Sequence, residues 1–210
     1  MTQQSGPGVG AQWDARFSAQ EYVYGTRPND FLVEATPSLP PPPARVLSLG
    51  EGEGRNGVYL ASRGYQVTAV DASAVGLDKV RRLAAEHGVS VETVHADLAH
   101  HAIAPGTWDV IVLVFCHLPM PLRRQVHRAV VAGLRPGGVL VLEGYTPAQL
   151  TFRTGGPPVR ELLYTAEELR EDFAGLELPL LRELERDVVE GTLHRGRAAV
   201  VQVLGRKPGP

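Results

Sequence analysis

The sequence predicts an α/β fold, a largely parallel sheet with helices on both faces. Three observations carry that expectation. Strand and helix signals alternate from Val46 to Glu143, a glycine-rich loop links the first strand to the following helix, and residues 109–115 form an apolar, β-rich run. Alternation of this kind means βαβ units, and such a run suits a strand covered on both faces.

The elements follow in order. Val46-Leu47-Ser48-Leu49 is a short apolar strand ending at Gly50. Residues 55–63 read as a helix that offers Val58, Leu60 and Ala61 for packing, and Gly64 stops it. Residues 66–70 are a second strand, halted at Asp71. Ser73 caps a helix running to His87, with Gly88 at its C-terminal cap. Residues 89–94 and 109–115 are further strands. A helix over 121–134 ends before Pro136-Gly137-Gly138, and 139–143 is the fifth strand. Thr165 and Glu168 make a capping-box pattern. Residues 176–189 and 197–204 then read as two paired strands, which puts His194-Arg195-Gly196-Arg197 in the turn between them. The stretch from Tyr145 to Tyr164 lacks periodicity, and loops of that length often act as lids. Its Gly155-Gly156-Pro157-Pro158 could shape one over an acceptor.

The chain's 210 residues fit a single domain, 1–210, with residues 1–44 as a front segment and Pro-rich connector and 45–207 as the core. Net charge is −2, so no general electrostatic footprint for nucleic acid or an anionic membrane is expected. Cys116 is the single cysteine, which excludes an internal disulfide and points to a reducing, cytoplasmic setting. It reads as a small core residue. The start shows no signal-peptide pattern, and no apolar run is long enough to span a bilayer. His100-His101 reads as solvated surface, so no metal site is expected.

Sheets of this type bind ligands beyond the carboxyl ends of their strands. That singles out 50–54, Asp71 with Ala72, Asp97, 115–117 and Tyr145. The loop Gly50-Glu51-Gly52-Glu53-Gly54-Arg55-Asn56-Gly57 contains a literal GxGxxG at Gly52, Gly54 and Gly57. A pyrophosphate wants positive potential at such a loop, yet Glu51 and Glu53 supply two carboxylates, which Arg55 offsets only in part. S-adenosylmethionine (SAM) has a sulfonium, an ammonium and no phosphate, so an acidic loop suits it better. A nicotinamide-dependent oxidoreductase remains the less favoured alternative. Asp71 follows Gly50 by 21 residues, the spacing of a ribose-binding acid. Asp97 with the Leu98 N–H can meet an adenine edge, or can serve as a turn aspartate. His117, after the fourth strand, either takes a proton from an acceptor or only bonds backbone.

The run Val46-Leu47-Ser48-Leu49-Gly50-Glu51-Gly52-Glu53-Gly54-Arg55-Asn56 resembles class I SAM-dependent methyltransferases. So do Val67-Thr68-Ala69-Val70-Asp71, Ala96-Asp97-Leu98 and Leu134-Arg135-Pro136-Gly137-Gly138. Gly54-Arg55-Asn56 with Tyr59-Leu60-Ala61 and Gly64-Tyr65 is similar to the tellurite- and thiopurine-methylating group. The resemblance implies a Rossmann-like seven-stranded sheet with its last strand antiparallel. It implies that the front segment folds over SAM through Trp13, Arg16, Tyr22 and Tyr24. Ser48 stands where that family usually has an acid, and Glu51 where it has Cys or similar; Glu51 is then expected to meet the methionine ammonium.

The expected cofactor contacts are thus Trp13, Arg16, Gly50, Glu51, Gly52, Asn56, Asp71, Ala72, Asp97, Leu98 and Phe115. The expected catalytic residues are His117, Tyr22, His194 and Arg195, the last two on resemblance, with Arg195 and Arg197 as a clamp for an anionic acceptor. The expected activity is methyl transfer to a small acceptor such as a thiol or chalcogen oxyanion. The alternative is a SAM-binding sensor or scaffold without turnover. The oligomeric state is not legible.

Overall fold

The computed structural model describes residues 8–209. Seven strands form one sheet in the order β3-β2-β1-β4-β5-β7-β6. They are β1 (Arg45–Leu49), β2 (Gln66–Asp71), β3 (Glu92–His95), β4 (Trp108–Val114), β5 (Leu134–Tyr145), β6 (Glu177–Glu190) and β7 (His194–Arg206). The strands from β3 to β5 pair in parallel. The last strand, β7, lies antiparallel between β5 and β6. Strand order reverses between β1 and β4, the switch point where such sheets take ligands.

Alternation along the central strands builds two apolar layers. Val46, Val110, Val112, Val139 and Val141 pack with Phe31, Leu32 and Ala35 of α2 (Asp30–Ala35) and Leu60 and Ala61 of α3 (Arg55–Ser62). Leu47, Leu49, Ile111, Leu113, Leu140 and Leu142 face Val126 and Val130 of α5 (Met120–Gly133) and Leu169 and Phe173. Helix α4 (Ala74–Glu86) packs beside α3 and is capped by Ser73, whose Oγ accepts from the Gly76 N–H. The capping box at Thr165 and Glu168 forms with both hydrogen bonds and opens α6 (Ala166–Asp172).

Three expectations shift. The third strand begins at Glu92 rather than 89. The front segment, to which the sequence reading assigns no element, contains α1 (Val9–Phe17) and α2. The final hairpin turns at 191–193, so 194–197 belongs to β7.

Candidate active site

Gly50, Gly52 and Gly54 adopt φ of +64°, +66° and +105°, a left-handed path that only glycine follows without strain. At Gly50 a Cβ would meet Cys116 Sγ at 2.8 Å, so the loop rests on the end of β4. Cys116 is buried there, and burial pushes its thiol up to about 12, which makes it an inert packing group.

Asp71 is 8% exposed at the end of β2. Its Oδ2 accepts from the Gly52 N–H at 2.8 Å and its Oδ1 from the Ser73 N–H at 2.8 Å. Burial raises its pKa, against those same N–H donors. Glu51 Oε1 accepts from the Gly57 N–H at 2.7 Å, and its Oε2 accepts from Ser48 Oγ. Burial likewise raises the Glu51 pKa. Asp97 Oδ1 accepts from the Ala99 N–H at 2.9 Å, so it closes a turn, and Leu98 is buried beside it. Asn56 Oδ1 accepts from the Asn29 N–H at 2.9 Å, which ties its oxygen to the front segment.

The front segment is fastened across the carboxyl edge of the sheet. Asp14 Oδ1 accepts from Ser73 Oγ at 2.6 Å and from the Val75 N–H at 3.1 Å, where α4 begins. A Cβ on Gly10 would lie 2.5 Å from the Ala72 carbonyl oxygen, and Phe17 packs on Gly52 and Gly76. Glu53 holds the next stretch by accepting from the Val23 and Tyr24 N–H groups at 3.1 and 3.0 Å. Trp13 stacks on Phe17 at 5.5 Å, and Arg16 lies over Trp13 while donating to Tyr24 Oη at 3.1 Å. Tyr22 goes elsewhere. Its hydroxyl donates to the Lys79 carbonyl at 3.3 Å, and its ring packs under Lys79 and Arg82 on α4. It is therefore a packing residue of α4, not a catalytic one.

Rings then pack on one another as a filled box. Tyr24 lies 4.5 Å from His194, Phe115 lies 4.9 Å from His194 and 4.5 Å from Tyr145, and Tyr145 lies 5.3 Å from His194. Phe115 reaches it from a strained φ of +53° just after β4. Gly155 and Gly156 cover the box: a Cβ on Gly155 would sit 2.9 Å from His194 Cδ2, and one on Gly156 would sit 2.6 Å from Tyr145 Cδ2. Gln149 anchors this cover through the Gly155 carbonyl and the Ala199 N–H.

His117 stacks on Tyr145 but is pinned at both nitrogens. Nδ1 bonds the Leu162 carbonyl at 2.7 Å, and Nε2 accepts from the Tyr145 N–H at 3.3 Å. Burial holds its pKa down to about 4. With no free lone pair it is a strut, which corrects its expected role as a base. Arg195 is also corrected. His194 is buried and Arg195 exposed because neighbours in β7 point to opposite sides of the sheet. Arg197 points the same way as Arg195 and pairs with Glu185 at 3.3 Å.

Behind the box lies a polar cluster that sequence reasoning missed. Glu190 contacts Arg55 Nη2 at 2.7 Å and His194 Nδ1 at 3.8 Å, and its Oε1 accepts from Asn29 Nδ2 at 2.9 Å. Asn29 Nδ2 also donates to Glu143 Oε1 at 2.8 Å, and Arg186 and Gln202 bond the same Glu143. These partners lie up to 161 positions apart in the chain, so no local pattern announces them.

The seven-stranded order and the glycine loop after β1 together make this a Rossmann-like fold of the methyltransferase type. Residues 46–138 match the family described as "Methyltransferase domain". That match runs from β1 into β5 and takes in the glycine loop, Asp71 and Asp97. It is 36% identical over 110 residues to the tRNA 5-carboxymethoxyuridine methyltransferase of Escherichia coli, covering 50% of this chain and 41% of that protein. It is 29% identical over 130 residues to the 2-heptyl-1-hydroxyquinolin-4(1H)-one methyltransferase of Mycobacteroides abscessus, covering 60% and 55%. The chain therefore spans about half the length of these relatives. By shape it matches TehB from Haemophilus influenzae with a TM-score of 0.70 at 19% identity, covering 94% of this chain and 66% of that one. It also matches the N-methyltransferase NodS from Bradyrhizobium japonicum in complex with S-adenosyl-L-homocysteine, with a TM-score of 0.71 at 14% identity and coverage of 95% and 98%. At those identities the likeness is one of fold. No helix among the described residues is long and apolar enough to cross a membrane.

Proposed function

We propose that this protein transfers the methyl group of SAM to a small nucleophile held against the ring box of Tyr24, Phe115, Tyr145 and His194. The observation that carries this reading is the position of the box. It abuts the glycine loop through Cys116 and Phe17 and is covered by Gly155 and Gly156.

The residues around the loop fit SAM. Each Asp71 oxygen has one donor and keeps a lone pair for a ribose hydroxyl. The two buried cations beside the loop are already paired: Arg55 is turned to Glu190, and Lys79 bonds Glu53 and the Glu21 carbonyl. That weighs against the nicotinamide alternative. Gly50, Gly52 and Asp71 would hold the nucleoside, and Trp13, Arg16 and Phe115 would border the methionine end. Bound SAM supplies an electrophilic methyl group on a sulfonium. The chain's part is to align the acceptor at about 3–3.5 Å and keep water away.

With Arg195 and Arg197 outside the box, its imidazole, His194, is the group suited to take a proton near neutral pH. Flat ring walls and a single imidazole suit a soft or aromatic acceptor, such as a thiol or phenol, more than a strongly hydrated oxyanion. A closed cover suits a small molecule more than a base within an RNA. Turnover of SAM should be screened over thiols, phenols, amines, selenite, tellurite and tRNA. Turnover with a thiol or phenol supports the reading. Faster turnover with tRNA overturns the choice of acceptor, and SAM binding without turnover on any acceptor favours a sensor.

A further inference from the structure

We infer that Glu190 positions His194, holding the imidazole with Nδ1–H toward its carboxylate so that Nε2 keeps the lone pair that takes the acceptor's proton. The inference rests on the methyl-transfer reading above. Glu190 and His194 are directly opposed across the β6–β7 ladder. Both are buried, at 4% and 7% exposure. His194 Nδ1 and Arg55 Nη1 lack a hydrogen-bond partner, and Glu190 Oε2 is met by the Arg55 guanidinium through Nη2. Buried orphan atoms of this kind are rare and call for a reason. Here they converge, since Oε2 lies 3.8 Å from Nδ1 and 2.7 Å from Arg55 Nη2. A small rotation or one bridging water closes the first gap.

The carboxylate itself cannot wander. Asn29 Nδ2 fixes Oε1 at 2.9 Å, and Arg186 Nη2 lies 3.4 Å away. The carboxylates of Glu190 and Glu143 balance the guanidiniums of Arg55 and Arg186, so the cluster accommodates a neutral imidazole. His194 is faced by Glu190 from β6, Arg55 from α3, Arg16 and Tyr24 from the front segment, Tyr145 from β5 and His117 beyond β4. Burial lowers its pKa, against the pull of Glu190, and this keeps the base neutral near pH 7. A base oriented by a third group is the general logic of activated nucleophiles. In the step, the acceptor's proton passes to His194 Nε2 as its lone pair forms the bond to the methyl carbon. The electron pair of the broken carbon–sulfur bond stays on sulfur.

The test reads the imidazole directly by NMR, with the His194 signals assigned by their loss in His194→Gln. The Nδ1–H tautomer in the wild type, and a lower titration midpoint in Glu190→Gln, support the inference. The Nε2–H tautomer, or an unchanged midpoint in folded Glu190→Gln, overturns it. Should Glu190→Gln fail to fold, the wild-type tautomer decides alone. These readouts need no acceptor, so they stand apart from any failure of the methyl-transfer reading. In turnover, Glu190→Gln should lower kcat tenfold or more for phenols, with KM for SAM unchanged. The loss should shrink for thiols already ionised at the assay pH; an equal loss for both would mark Glu190 as merely structural.

Discussion

Replacing Glu53 with alanine tests whether the front segment is strapped down by the glycine loop. Glu53 is 3% exposed and Lys79 is 5% exposed. The carboxylate accepts from Lys79 Nζ at 2.7 Å and from the Val23 and Tyr24 N–H groups. Its removal leaves a buried ammonium without a counter-charge and two N–H groups without an acceptor. Breaking a buried pair from one side costs about 3–5 kcal/mol. That is a large share of the roughly 5–15 kcal/mol that holds a domain folded. Urea titration of Glu53→Ala should show this loss. Adding Lys79→Met should recover part of it, because the stranded charge is then gone. Limited proteolysis should cut the variant within residues 18–28, and calorimetry should show weaker SAM binding as Trp13 and Tyr24 come away. A loss below about 1 kcal/mol, with Lys79→Met simply additive, would refute the strap.

Three further outcomes are expected. Asp71→Ala should weaken SAM binding about tenfold or more by calorimetry, since each hydrogen bond to a charged group contributes about 1.5–3 kcal/mol; unchanged affinity in a folded variant would leave Asp71 only as a clamp on Gly52 and Ser73. The double variant Arg195→Ala, Arg197→Ala should keep kcat/KM within about twofold for every acceptor and change stability by no more than about 0.5 kcal/mol; a tenfold loss would put those guanidiniums back at the site. Burial holds His117 near pH 4 against 6.5 unfolded, so its share of stability is complete above 6.5 and lost as pH falls toward 4, up to about 3 kcal/mol. His117→Gln should therefore flatten the stability loss between pH 6.5 and 4, and an equally steep loss in urea titrations would sink that assignment.

Local signals carried the architecture. Gly50, Gly64 and Gly88 all sit at positive φ where strands and helices change over, and their spacing in the sequence marked those places. Strand polarity followed, because connections of that length through a helix leave parallel neighbours. Side-chain direction was less legible. Reading the last turn as 194–197 instead of 191–193 made His194 and Arg195 look like partners. In a strand they cannot both face one site. Tyr22 and Tyr24 differ in the same way: one packs on α4 and the other enters the ring box, a choice set by Glu53 gripping the backbone between them. Asn29, Glu143 and Glu190 carry no motif at all, since their meaning lies in meeting one another across the fold.

Ser48 and Glu51 show how a site can keep its charge while moving it along the chain. The acid that the resembling family carries on the first strand is absent, because Ser48 holds that position. Glu51, three residues on, folds back so that Ser48 Oγ donates to it and the Gly57 N–H donates to its other oxygen. A carboxylate thus stands at the end of β1 and also satisfies an otherwise free N–H at the start of α3. Each oxygen still has one lone pair after these bonds. Burial raises the Glu51 pKa, and an approaching ammonium would reverse that direction by favouring the ionised form. The expected contact to the methionine ammonium therefore survives only through those remaining lone pairs. It would come as a third partner to a carboxylate already locked in place, which spares the bound state the cost of ordering that side chain.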